Sequence, residues 1–126
     1  MAVAATIAVV IVAIIHIAIS VGEMFLWKQP STSKEFKEKL GLTEEIVCKV
    51  DPIVKNVGLY NAFIAVGLIW GTFATSDPFP IQVFFLICVA IAGIFGAMTL
   101  TKKTLLLQTI PALIALIFVS IVHSQS

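Results

Sequence analysis

The sequence predicts an all-α fold: a membrane-spanning four-helix up-down bundle, with a short cytoplasmic amphipathic helical loop between spans one and two. Three observations predict it. Residues 1–22, 56–76, 78–101 and 104–126 contain no Asp, Glu, Lys or Arg. Each reaches the ~20 residues that a helix needs to cross ~30 Å of hydrocarbon. The composition, 60% hydrophobic and 12% charged, lies far from the ~25% charged of a soluble domain, so residues 1–126 read as a single transmembrane domain. All eight Lys sit in two connections, and there is no Arg. Lys28, Lys34, Lys37, Lys39, Lys49 and Lys55 precede the second span; Lys102 and Lys103 precede the fourth.

That Lys placement also predicts orientation. Alternate connections of a four-span protein share a side, and cytoplasmic loops carry the Lys and Arg. The Lys-bearing loops are therefore expected in the cytoplasm of a cell-membrane protein, with both termini outside. Five acids nearly cancel the charge of the first loop, but orientation follows Lys and Arg rather than net charge. A net charge of +1 gives no reason to expect a nucleic-acid partner; the lipid bilayer is the expected one.

The first span is read over residues 2–27, with Trp27 in an interfacial aromatic belt. Ala18-Ile19-Ser20 could pass for a signal-cleavage pattern. No Lys or Arg precedes the apolar run, however, and the run exceeds the 7–15 residues of an ordinary h-region, so cleavage is not expected. Pro30 ends the helix and opens the loop 28–55. Thr32-Ser33-Lys34-Glu35 fits a capping box for a short helix over 33–40 stopped by Gly41. Phe36 and Leu40, four apart, could lie on the headgroup boundary while the lysines face water; the simpler reading is a solvated connector. Thr43 can cap a second loop helix, with Glu44 and Glu45 at its positive end. Asp51-Pro52 is expected to break or kink it.

The second span is read over 56–75. Ser76 to Pro80 make a tight outer link, and Pro80 suits the first turn of the third span, 81–101. Lys102-Lys103 make the inner turn before the fourth span, 104–122. Short links imply antiparallel neighbours. Cys48 and Cys88 fall in different environments, so no disulfide is expected, and no CxxC pair points to metal or redox work.

Few groups here could carry chemistry. His16, Ser20, Glu23 and Trp27, spaced 4, 3 and 4, share one stripe of the first helix. An ionisable side chain inside a span is costly and should face the bundle interior or water. His16 and Glu23 are ~10 Å apart along the axis, too far for a direct bond. Plain alternatives are a Glu23 that answers a lysine at the inner end and a neutral His16 bonded within the core. In the second span Asn56 and Tyr60 share a face. Asn61 lies on the face of Gly58 and Ala65, where a close neighbour could meet its amide. Gly93 and Gly96 lie in Ala92-Gly93-Ile94-Phe95-Gly96-Ala97, a small-residue packing motif. The close contact is expected between spans two and three, through Gly58, Asn61, Ala65 and this cluster. In the fourth span Gln108 shares a face with Ala112 and Ala115, and Pro111 frees the Leu107 carbonyl.

These polar groups gather in the inner half of the bilayer. They suggest a pocket under the cytoplasmic face formed by His16, Glu23, Asn56, Tyr60, Asn61 and Gln108. Interhelical side-chain bonds average only ~0.6 kcal/mol in membranes, a weak reason to bury a carboxylate.

His16…Glu23-Met24-Phe25-Leu26-Trp27, Asn56-Val57-Gly58-Leu59-Tyr60-Asn61-Ala62-Phe63…Gly67-Leu68-Ile69-Trp70-Gly71, Ala92 to Ala97, and Gln108…Pro111-Ala112 together resemble the small bacterial integral membrane proteins grouped as domain-of-unknown-function family 1304. The resemblance spans essentially the whole chain. Val57 stands where the family pattern has Gln. The resemblance implies four spans; it implies no reaction, cofactor or substrate.

Three functions fit these residues. One is binding of a small amphipathic or lipid-like molecule, its polar end at Glu23, Asn56, Tyr60 and Gln108. A second is a small transporter working as a homo-oligomer with Glu23 as coupling carboxylate. A third is a non-catalytic accessory subunit. No nucleophile–base pair, metal-ligand cluster or phosphate loop is visible in the sequence, so no metal site is expected, and catalytic residues and cofactor are left unassigned. The first reading is preferred.

Overall fold

The computed structural model describes residues 1–73 and 75–126. Its regular structure among those residues is helical throughout: α1 (Ala2–Phe25), α2 (Lys34–Lys39), α3 (Glu44–Phe73), α4 (Phe79–Thr99), a π-helical turn (Leu105–Thr109) and α5 (Ile110–Ser124). Four helical stretches are long and apolar enough to cross a membrane: α1, α3, α4, and Leu105–Ser124. Ala74, read from sequence as part of the second span, lies outside the described residues.

The chain forms two compact units, Met1–Ile15 with Ile64–Ser126, and His16–Phe63. The division falls inside α1 and α3. In the first unit the core is made by Val9, Val12, Leu68, Leu86, Ala112 and Ala115, each almost wholly buried. Its many alanines allow close helix approach, which is how spans associate when lipid removes the hydrophobic drive. Ile7, Ile11 and Ile14 point outward from α1, as suits a lipid-facing side.

Within this unit the end of α3 meets α4 through glycine. A Cβ on Gly71 would lie 2.6 Å from Ile81 Cγ2, and Gly67 lies directly against the Phe85 ring. Gln82 Nε2 donates to Thr72 Oγ1 at 3.2 Å, and Thr72 Oγ1 donates to the Leu68 carbonyl at 2.7 Å. As numbers rise on α3 they fall on α4, so these segments run antiparallel. Gly93 and Gly96 do not meet the second span as the sequence suggested. Gly93 faces Thr109 and Gly96 faces Thr104. Small-residue spacing announces a close approach but is silent on the partner. Thr109 Oγ1 donates to the Ala90 carbonyl at 3.1 Å and Thr104 Oγ1 to the Gly93 carbonyl at 2.8 Å. At the other end Phe79 stacks on His123 with centroids 3.8 Å apart.

Three local expectations need correction. The capping box expected of Thr32 to Glu35, with Ser33 opening the helix, gives way to a start one residue later: Ser33 precedes α2 in the left-handed region at φ 53°, with no side-chain cap bond, whereas a capping residue is normally extended. Gly41, at φ 63°, does end that loop helix as expected. Pro52 does not break the chain's course, because α3 runs through it for 30 residues. Its missing N–H orphans the Cys48 carbonyl, but Cys48 is exposed, so polar surroundings can serve that acceptor. Lys55 pairs with Asp51 at 2.8 Å and Asn56 Nδ2 donates to the Pro52 carbonyl at 2.9 Å, tying the turns on either side. Finally, Pro111 does not simply leave an orphan acceptor. The helix before it widens into the π-helical turn Leu105–Thr109, and Ile110 N–H donates to the Leu105 carbonyl, a common response to a disrupted helical ladder.

Candidate functional site

The second unit holds most of the polar residues expected to matter. One stripe of α1 carries His16 and Ser20, both buried, then the half-buried Glu23. The 4 and 3 spacing puts all three on one side. Ser20 Oγ contacts Met24 Sδ at 3.5 Å.

Glu23 meets the second span. Asn61 Nδ2 donates to Glu23 Oε2 at 2.9 Å and to its own Val57 carbonyl at 3.2 Å. Gly58, one turn earlier, permits the approach: a Cβ there would lie 2.7 Å from Met24 Cγ, 3.0 Å from Glu23 Cβ and 3.2 Å from the Met24 nitrogen. Gly58 and Asn61 share a face at i, i+3, so the residue that lets α1 come close sits beside the one that bonds to it. Asn56 and Tyr60 do not join this pair. Asn56 is bonded to the Pro52 carbonyl, and Tyr60 is 62% exposed, edge-on to Phe63 at 6.1 Å. Gln108 belongs to the other unit, where it is half-buried in the π-helical turn beside Gly93.

Just past α1 the chain forms a second polar structure that the sequence did not reveal. Lys37 had been placed in water; it is buried. Its Nζ donates to the carbonyls of Trp27 and Gln29, the latter at 3.0 Å, and lies 4.6 Å from the Trp27 ring centroid. Trp27 Nε1 donates to the Val47 carbonyl at 3.1 Å, and Phe36 packs edge-on against Trp27 at 6.5 Å. The ammonium thus binds carbonyls just beyond the C-terminus of α1, where a cation is favoured; the Gln29 carbonyl also accepts from the Thr32 N–H at 3.1 Å. Its burial pulls the Lys37 pKa below the ordinary lysine value. Charge pattern alone could not single out Lys37 from its neighbours, because its packing partner, the aromatic Trp27, lies ten residues away.

Around this anchor the connector encloses a groove of about 520 Å³, lined by Lys28, Pro30, Lys34, Lys37, Glu38, Gly41, Leu42, Glu44, Val47 and Cys48. Both cysteines are free. Among the described residues, no group of three His, Cys, Asp or Glu is arranged to hold a metal ion.

Chemically, the Glu23–Asn61 pair presents acceptor and donor atoms on two different spans. Such a pair can orient a hydroxyl, amide or ammonium group. The connector supplies cationic groups near apolar side chains.

Residues 10–120 match the family model described as Protein of unknown function (DUF1304). A relative in Lactococcus lactis subsp. lactis (strain IL1403), described as uncharacterized protein YpaA, is 34% identical over 95 residues, covering 75% of this chain and 78% of that protein. No solved structure matches the chain. With a family match over residues 10–120, this chain, with four long apolar helices among its described residues, belongs to the DUF1304 family.

Proposed function

We propose that this protein is a cell-membrane four-helix up-down bundle, both termini outside, that binds a small amphipathic or lipid-like molecule in the cytoplasmic leaflet at Glu23 and Asn61. The observation that carries the reading is the 2.9 Å hydrogen bond between these two side chains on different candidate spans. A carboxylate in a span is expensive and tends to serve an ion, proton or ligand path. His16 and Ser20 extend the polar stripe deeper. The exposed Asn56 and Tyr60 flank the approach from the lipid side. Gln108 is not part of the proposed site.

Glu23→Gln keeps the volume and removes the charge. The variant is expected to fold, because a Gln can still accept from Asn61, and to lose a molecule that co-purifies with the wild type in native mass spectra. If the folded variant retains every bound species, Glu23 is structural and an accessory-subunit role is favoured instead.

The orientation has its own test. In a chain with Cys48 and Cys88 replaced by Ser, Ser124→Cys should react with an impermeant thiol reagent in intact cells. In a second chain, with only Cys88 replaced by Ser, Cys48, exposed in the connector, should react only after the cells are opened. The opposite pattern would reverse the orientation.

A further inference from the structure

The connector groove raises a separate question of ligand chemistry. It is built from the end of the first span, α2, the turn at Gly41 and the start of α3, all within one compact unit. Its volume of about 520 Å³ falls in the range of sites for small organic ligands, ~300–1,000 Å³. A bare inorganic ion would leave most of it empty.

The charges in it are unequal in their partners. Lys34 pairs loosely with Glu38 at 3.8 Å, with both side chains about two-thirds exposed. Such a pair is worth little and exchanges readily. Lys37 is held by two carbonyls and an aromatic face, none of which carries a formal charge. A buried positive charge at the wall therefore lacks a counter-charge from its own contacts. Lys28 is the third lysine on the lining, which also carries Glu38 and Glu44, so cations outnumber carboxylates there. Pro30, Leu42 and Val47 supply an apolar side. Cations beside an apolar wall, at the end of a span, match a molecule with an anionic head and an apolar continuation.

We propose that this groove binds the phosphate group of an amphipathic phosphate ester whose head carries a net negative charge and no cation of its own, with the oxyanion at Lys28, Lys34 and Lys37 and its organic part along Pro30, Leu42 and Val47. Lys37 is fixed in place by its backbone bonds, whereas the exposed Lys28 and Lys34 can close on the ligand, Lys34 by giving up its loose pair with Glu38. The phosphate could belong to a bilayer phospholipid or to a soluble phosphate ester. The groove is distinct from the Glu23–Asn61 pair and does not depend on it.

The test uses the full-length protein in nanodiscs and in detergent. Native mass spectrometry on an equal mixture of phosphatidylglycerol and phosphatidylcholine reads lipid preference. Retention of phosphatidylglycerol is expected, and Lys28→Gln with Lys34→Gln should lower it by about tenfold or more, since each basic residue near a membrane adds substantially to attraction. These two side chains are exposed, so the double variant should fold. Lys102→Gln with Lys103→Gln removes two lysines outside the groove and controls for general surface attraction. Competition by glycerol 3-phosphate would assign the site to the phosphate group itself; retention of the lipid alone would assign it to the bilayer source. Equal loss in the two double variants, no preference between the lipids, or an unchanged preference in Lys28→Gln/Lys34→Gln would overturn the proposal. Glu23→Gln should leave this binding untouched, so the two sites fail or stand separately.

Discussion

Gly93→Ala should lower the stability of the protein by about 1–3 kcal/mol, the usual cost of forcing a methyl into a full contact. A Cβ at Gly93 would lie 2.8 Å from the Thr109 backbone nitrogen and 3.0 Å from Gln108 Cβ. Backbone cannot swing aside as a side-chain tip can. Adding Thr109→Ala should therefore fail to restore stability, and it would also remove the bond to the Ala90 carbonyl. Gly22→Ala makes the same chemical change with the opposite sign. Nothing lies within 4 Å of the Cβ it would add, and Ala is favoured over Gly inside a helix by up to about 1 kcal/mol. Thermal unfolding in detergent should show Gly93→Ala melting earlier and Gly22→Ala melting no earlier than the wild type. Equal midpoints for all three would remove the close contact at Thr109 from the account.

Lys37→Met should loosen the connector at a cost of about 1.5–3 kcal/mol, the worth of hydrogen bonds to a charged group. Met keeps much of the apolar stem but removes the donor to the Trp27 carbonyl and one of the two donors to the Gln29 carbonyl, which keeps the Thr32 N–H. Limited proteolysis should cut within the connector faster than in the wild type, and the emission of Trp27 should shift to the red as the indole gains water. Trp27→Phe should cost less, about 1 kcal/mol, since the ring remains and only the bond to the Val47 carbonyl is lost. The group also has a pH signature. Burial lowers the Lys37 pKa, so the unfolded chain keeps this proton to higher pH than the folded one. Its contribution to stability then rises as pH climbs through the interval just under the ordinary lysine value of ~10.4. In Lys37→Met that rise should be smaller. An identical pH dependence in both proteins would place Lys37 in water.

The amino-acid sequence by itself determined the helical class, the four long apolar helices and a few residues at helix ends. The reason is that these depend on local composition: uncharged runs of span length, Gly41 after α2, Thr43 before α3 and Pro80 in the first turn of α4 each act within a few residues. The stripe His16, Ser20, Glu23 was equally legible, because helical period alone aligns it. Tertiary structure decided the rest. Which helix faces Gly58 or Gly93 is a matter of partner choice, and glycine fits many partners. Whether Pro52 interrupts a helix depended on exposure of Cys48 and the ties made by Lys55 and Asn56. Thr104 and Thr109 looked like ordinary span residues until their hydroxyls found carbonyls on α4. Lys37 reads as one lysine among six in the connector; only the folded chain brings it under Trp27, because the carbonyls past α1 and the aromatic face converge there in space and not in sequence.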